Sequence, residues 1–123
     1  INAEDPAKGF MANTGKINFL NLPGGPGVRV DTLLYNGYET SPFYDSMMAK
    51  IIVHAETRLE AIRRMRRALL ELVTDGIITN GDFDYLLLHH PDFIKGNYNV
   101  SFIDNHLEEI LSWDKAANEE DEE

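Results

Sequence analysis

One arginine carries the strongest chemical signal in the 123-residue sequence. Arg29 lies in Val28-Arg29-Val30-Asp31, directly after the turn sequence Pro23-Gly24-Gly25-Pro26-Gly27. Apolar and polar residues alternate there, the period of a half-buried strand. The valines therefore share one face, and Arg29 and Asp31 the other. A guanidinium is always charged and offers five donors in a planar fork, suited to a carboxylate, a bicarbonate or a developing enolate-like oxygen. On pattern alone a structural salt bridge to Asp31 or beyond is the plainer reading, with the anion role as its rival.

Other chemistry-bearing residues carry weaker signals. Thr14-Gly15-Lys16 lacks both the Ser or Thr after the Lys and the spaced first Gly of a P-loop. The Gly24–Gly27 loop could let a ligand approach backbone N–H groups, but a turn accounts for it more simply. His89, His90 and Asp92 could be read as metal ligands. Adjacent helical histidines point about 100° apart, however, so a structural role is favoured and no metal site is assigned. His54 and His106 are isolated in sequence and read the same way. Asp45 beside Tyr44, and Asp104 near His106, complete no nucleophile–base–orienter set. The chain read by itself holds no self-sufficient active site.

These residues need a scaffold of ordinary size. The length suggests one domain, with 43% hydrophobic residues and no apolar run long enough to span a membrane. The opening INAEDPAKGF is neither basic nor apolar enough for a signal peptide, and without an initiator Met the chain is expected to be cut from a longer protein. There is no cysteine, hence no disulfide, thiolate nucleophile or Cys-ligated metal, which fits a reducing cytoplasm. The net charge of −10 argues against nucleic acid as a partner. Half of it sits in residues 114–123, with six acids and one Lys, expected to form a solvated, disordered tail after a domain at 1–113.

Residues 1–15 read as irregular. Strands are expected at 16–22, 28–31 and 47–54, with a tight hairpin turn at Asn36-Gly37. Thr57-Arg58-Leu59-Glu60 is a capping box opening a helix. Its apolar positions are Leu59, Ile62, Met65, Leu69, Leu72 and Val73, and Gly76 is its expected stop. The outer face carries Arg58, Arg63, Arg64, Arg66 and Arg67, with Glu60–Arg64 and Arg67–Glu71 as i,i+4 pairs. This basic face could bind phosphates, but with acids interleaved a solvated face or a salt-bridged protein interface is favoured. Asn80 can cap a helix over 81–90 that Pro91 stops, and a third helix is expected from about Ser101 to Trp113. Strands first and helices after imply an α+β fold: a small, mostly antiparallel sheet packed with about three helices.

Six blocks in order resemble the C-terminal domain of biotin carboxylase: INAEDP (1–6), GGPGVRVD (24–31), the Tyr-x-Gly-Tyr of 35–38, SPFYDSMMAKII (41–52), TRLEAIRRMRRAL (57–69) and DGIITN (75–80). The resemblance spans nearly all of residues 1–111. Ala49, where the family commonly has Gly, and Gly81, at a helix start, are its departures. With no biotinyl AMKM-type segment, the ending looks like that of the separate subunit of acetyl-CoA carboxylase, which serves fatty acid synthesis. The resemblance implies that ATP, Mg or Mn, bicarbonate and biotin are used by the parent enzyme. The nucleotide, metal and base residues would lie in an upstream ATP-grasp domain, with none of these groups bound by this chain alone. It implies a catalytic role for Arg29 toward biotin's ureido oxygen, and a homodimer with Arg58, Asp75 and, less directly, His54 near the interface. Biotin carboxyl carrier protein and carboxyltransferase would be further partners. The isolated chain is expected to be inactive. A non-catalytic dimerisation or interaction module, or the same domain of a pyruvate, propionyl-CoA or urea carboxylase, are the alternatives.

Overall fold

The computed structural model describes residues 1–121. Six short strands and four α-helices follow in order: β1 Glu4–Asp5, β2 Met11–Ala12, β3 Phe19–Asn21, β4 Val28–Thr32, β5 Ala49–Val53, α1 Arg58–Glu71, β6 Val73–Asp75, α2 Gly81–Leu87, α3 Pro91–Ile94 and α4 Phe102–Asp121. The fold is α+β, as the order of signals implied. Instead of one small sheet there are three separate two-stranded antiparallel ladders, β1–β2, β3–β6 and β4–β5.

Residues 1–15 are more regular than the breakers suggested. A 3-10 turn at Pro6–Lys8, capped by Asp5, links β1 to β2. The first residues are tied inward: the Ile1 ammonium donates to Ala49 O (2.6 Å), and Asn2 N donates to Asn80 Oδ1 (2.8 Å). That contact takes the Asn80 side chain away from capping α2, which has no side-chain N-cap bond.

Helix α1 begins as expected, with Thr57 Oγ1 accepting from Glu60 N at 3.2 Å. Ile62 and Leu69 are buried, whereas Leu59 and Leu70 are exposed. The helix ends at Glu71, earlier than the apolar pattern suggested, because Val73–Asp75 leave it to pair with β3. Gly76 therefore ends a strand. Its φ of +104° and the close approach of Lys16 O leave no room for a Cβ. The Asn36-Gly37 turn also differs from expectation. Tyr38 N bonds Tyr35 O, but the turn docks on Ile17 through both that residue's N–H and its C=O, and closes no hairpin. The partner of β4 is β5, reached through residues 33–48.

The second helix is shorter than expected, ending at Leu87, and Pro91 begins α3 rather than only stopping α2. Helix α4 continues past Trp113 to Asp121, so 114–121 is a helical extension, exposed over 115–120, rather than the expected disordered tail; residues 122–123 lie outside the described part. Two apolar clusters hold the elements together. Ile62, Leu69 and Leu88 join α1 to α2, and Phe83, Phe102 and Ile110 join α2 to α4, with Phe93 of α3 packed against both.

Candidate functional site

The β4–β5 ladder sets the geometry around Arg29. Val28 pairs with Val53, Arg29 with Ile52, Val30 with Ile51, Asp31 with Lys50 and Thr32 with Ala49. Val28, Val30 and Thr32 are partly buried on the inner face. Arg29 and Asp31 stand on the outer face beside Ile52 and Lys50 of β5. The preceding loop is a structural turn. Val28 N bonds Gly25 O (3.2 Å), and His54 N closes the ladder's end on Gly27 O (2.9 Å). Gly27 has φ +73°, and a Cβ there would stand 2.6 Å from His54 O. The glycines thus let the chain turn tightly against the end of β5, which fixes where Arg29 emerges.

Arg29 Nη2 donates to Asp31 Oδ2 at 3.1 Å, its one hydrogen bond among the described residues. Its side chain remains 70% exposed and that of Asp31 51%. Both sequence readings are thus present together: an ion pair, and a guanidinium with most of its donors turned to solvent. An exposed pair of this kind contributes roughly 0–1 kcal/mol to stability. A groove of about 360 Å³ opens beside the pair, lined by Asp31, Thr32, Leu33, Leu34, Tyr38, Met47, Met48, Ala49 and Lys50. Exposed Asp31 and Lys50 and buried Leu34 and Ala49 give it a mixed lining that suits a ligand with one polar edge, although Arg29 itself does not line it.

The family model of the biotin carboxylase C-terminal domain matches residues 1–105. The chain belongs to this family. Among curated relatives, biotin carboxylase 1 of Bacillus subtilis is 49% identical over 106 residues, 86% of this chain and 24% of that protein. Biotin carboxylase of Haemophilus influenzae is also 49% identical, over 87% of this chain and 24% of its own length. A pyruvate carboxylase subunit of Methanothermobacter thermautotrophicus is 42% identical over the whole chain, 25% of that protein. The chain thus spans about a quarter of the length of the curated relatives it matches. Among solved structures, the biotin carboxylase domain dimer of Hydrogenobacter thermophilus 2-oxoglutarate carboxylase, in complex with MgADP, ADP and bicarbonate, superposes with a TM-score of 0.84 at 38% identity, over 85% of this chain and 23% of that one. The biotin carboxylase subunit of a pyruvate carboxylase gives 0.85 at 38% identity, over 89% of this chain and 24% of that one.

Within this biotin carboxylase C-terminal domain the other singled-out residues lie apart from Arg29. Arg58, at the start of α1, donates to Phe93 O (2.6 Å) and Ile94 O (3.5 Å), with its guanidinium 5.1 Å from the Phe93 ring centre and 5.6 Å from that of Tyr98. It fastens α1 to the C-terminal end of α3, where the Phe93 carbonyl also accepts from Gly96 N at 3.1 Å. His54 is exposed at the end of β5, its carbonyl accepting from Arg64. Asp75 is exposed on β6, opposite Phe19. No hydrogen bond or ion pair joins these three among the described residues.

The basic face of α1 is largely engaged. Arg66 donates twice to Leu88 O (2.6 and 3.2 Å), and Arg67 pairs with Glu71 at 3.5 Å as the spacing predicted. Arg64 bonds the His54 carbonyl in place of the expected Glu60. Lys16 of the rejected phosphate loop forms a β-bridge with Glu39, and Gly15 N donates to Thr40 Oγ1 at 2.8 Å. No helix among the described residues is long and apolar enough to cross a membrane.

One constellation escaped the sequence. His106 is not isolated: its Nδ1 lies 3.1 Å from Glu109 Oε2, the same oxygen that lies 3.1 Å from His90 Nε2. Its one sequence signal was the i,i+3 spacing of His106 and Glu109, which puts both on one helix face. Hydrogen bonds from His90 and then His106 hold the Glu109 carboxyl below its ordinary range. A different carboxyl moves the other way. Asp84, beside a small cavity lined by Ile1, Ile51, Met65, Leu69, Leu87 and Leu88, is raised from 3.8 to about 6 by burial, against the opposing pull of the Ile1 ammonium.

Proposed function

We propose that this chain is the C-terminal domain of an ATP- and bicarbonate-dependent biotin carboxylase, in which Arg29 acts directly on the reacting groups. The observation that carries this reading is the largely exposed guanidinium on the outer face of β4, held in direction by Asp31, which also lines a mixed polar and apolar groove. Biotin is a flat ligand with a polar ureido edge and an apolar flank, which this groove suits. As biotin's N1′ loses its proton, negative charge develops on the ureido oxygen. A fixed cation there stabilises that charge, and one such donor is worth about 2.7–4 kcal/mol. The same guanidinium can orient bicarbonate beforehand through paired N–H donors.

ATP and its Mg or Mn ions would be held by an upstream ATP-grasp domain, as would the base, so this chain alone is inactive. The parent enzyme acts in the cytoplasm as a homodimer, with Arg58, Asp75 and His54 near the contact, and passes carboxybiotin on its carrier protein to a carboxyltransferase. Acetyl-CoA, for fatty acid synthesis, is the favoured acceptor, supported by the higher identity to proteins named biotin carboxylase, 49%, than to the pyruvate carboxylase subunit, 42%. Pyruvate is the second reading, supported by the whole-chain similarity to a pyruvate carboxylase subunit.

The test joins this chain to its upstream domain and measures biotin-dependent ATP cleavage. Arg29→Ala lowers kcat about 10²–10³-fold; full activity in that variant sinks the role of Arg29. For the dimer, Asp75→Arg is the cleaner probe by sedimentation, because Arg58→Glu also breaks the α1–α3 contact. Unchanged sedimentation of Asp75→Arg argues against that interface.

A further inference from the structure

The remaining cluster has its own chemistry, with no part in the carboxylation assigned to Arg29. His90 stands between α2 and α3 and is 4% exposed. His106 and Glu109 project from α4 onto it, and the two imidazole centres are 4.2 Å apart. The atoms His90 Nε2, His106 Nδ1 and Glu109 Oε2 all lie within 4.8 Å of one another, and Glu109 makes two edges of that triangle 3.1 Å long. Ligands at about 2.0–2.1 Å from a tetrahedral zinc ion stand roughly 3.3 Å apart, close to those edges. We propose that His90, His106 and Glu109 bind one divalent transition-metal ion of the zinc class, which clasps α4 to the α2–α3 junction.

Three further observations fit. The outward nitrogen of His106, Nε2, faces Asp92 Oδ2 at 3.8 Å, the arrangement in which a carboxylate orients a ligating imidazole. Phe102 and Trp113 flank His90 with ring centres at 5.2 and 5.8 Å, which limits its motion and keeps water from its inner side. The Glu109 side chain is half exposed, leaving an entry path and a fourth position for water. Imidazole nitrogens with one carboxylate suit zinc, nickel or copper rather than calcium or magnesium.

One internal bond sets a condition on loading. His90 Nδ1 accepts from Asp92 N at 3.1 Å and caps α3. The ring proton is then on Nε2, where it is donated to Glu109. An ion at Nε2 requires that proton to move to Nδ1, by exchange with solvent, which releases the Asp92 amide. The Asp92 N–H therefore reports occupancy of this site and of no surface histidine pair.

The experiment titrates the 123-residue chain with Zn²⁺ by calorimetry, and with Co²⁺ followed by visible absorption and by amide NMR. The expected result is one equivalent bound, intense tetrahedral Co²⁺ bands and a shifted Asp92 amide. Asp92→Asn weakens binding about 10–100-fold. His106→Ala abolishes the stoichiometric site. Glu109→Gln, at an exposed position, does the same should His106→Ala fail to fold. Binding that survives in both variants, an unmoved Asp92 amide, or no Zn²⁺ binding by the wild-type chain overturns the proposal.

Discussion

The outer face of β4–β5 and the α2–α3–α4 corner treat polar groups in opposite ways. On the ribbon, Arg29 has a single exposed partner, and Ile52 beside it is exposed as well. At the corner, His90 is buried, both its ring nitrogens are engaged, and aromatic rings pack around it. A guanidinium left largely free adds little to folding and keeps its donors for another molecule. A buried imidazole with every nitrogen engaged is held by the fold, and a ligand reaches it only by displacing one of those bonds. Strong donors and weak internal engagement are the two features on which the proposed substrate role of this face rests.

The contrast can be broken from either side. The largest effect on folding belongs to the corner: Ile110→Ala empties a fully buried position and lowers stability by about 2–5 kcal/mol, read by urea denaturation. A loss under 1 kcal/mol would mean the corner is looser than drawn. Arg29→Ala should do the reverse in the enlarged protein, raising the barrier to carboxylation by about 2.7–4 kcal/mol. The same variant should move the stability of this chain by under about 0.5 kcal/mol, as exposed positions do. A substantial loss of stability would place Arg29 with the structural residues.

Asp84 gives an intermediate effect with a pH signature. Its folded value of about 6 exceeds the ordinary 3.8, so the folded state holds its proton more tightly than the unfolded state. That contribution is fully present below pH 3.8 and is lost as the pH rises through about 6. Asp84→Asn should therefore raise stability at pH 8 by up to about 3 kcal/mol and flatten the profile between these values. An unchanged profile would show the carboxyl to be well solvated. The smallest effect is that of Thr57→Ala, which removes the α1 cap for about 1 kcal/mol. A neutral result by thermal melting would show that packing alone starts that helix.

Local signals were legible where neighbours in sequence decide the outcome. The alternation of Val28 and Val30 placed Arg29 outward, and Thr57 with Glu60 located the start of α1. Misreadings arose where a distant segment competes. Leu72 and Val73 continue the apolar helical pattern, but β3 offers Val73–Asp75 a strand partner, so α1 ends early. Asn36-Gly37 makes a turn, yet the turn is used to grip Ile17. The acidic composition after Trp113 suggested disorder, while Ala116, Ala117, Glu119 and Glu120 are good helix formers and carry α4 onward. The face of Arg29 was readable within four residues. The histidine cluster was not, because His90 and His106 come from elements separated by a loop.

Phe93 packs against both apolar clusters, those of α1–α2 and of α2–α4. A residue shared in this way joins the two clusters into one cooperative unit. Opening either half exposes the same ring, so neither half has a low-energy opening of its own. Under native conditions the slowest-exchanging amides of α1 and of α4 are then expected to exchange together, each only through global unfolding of the chain.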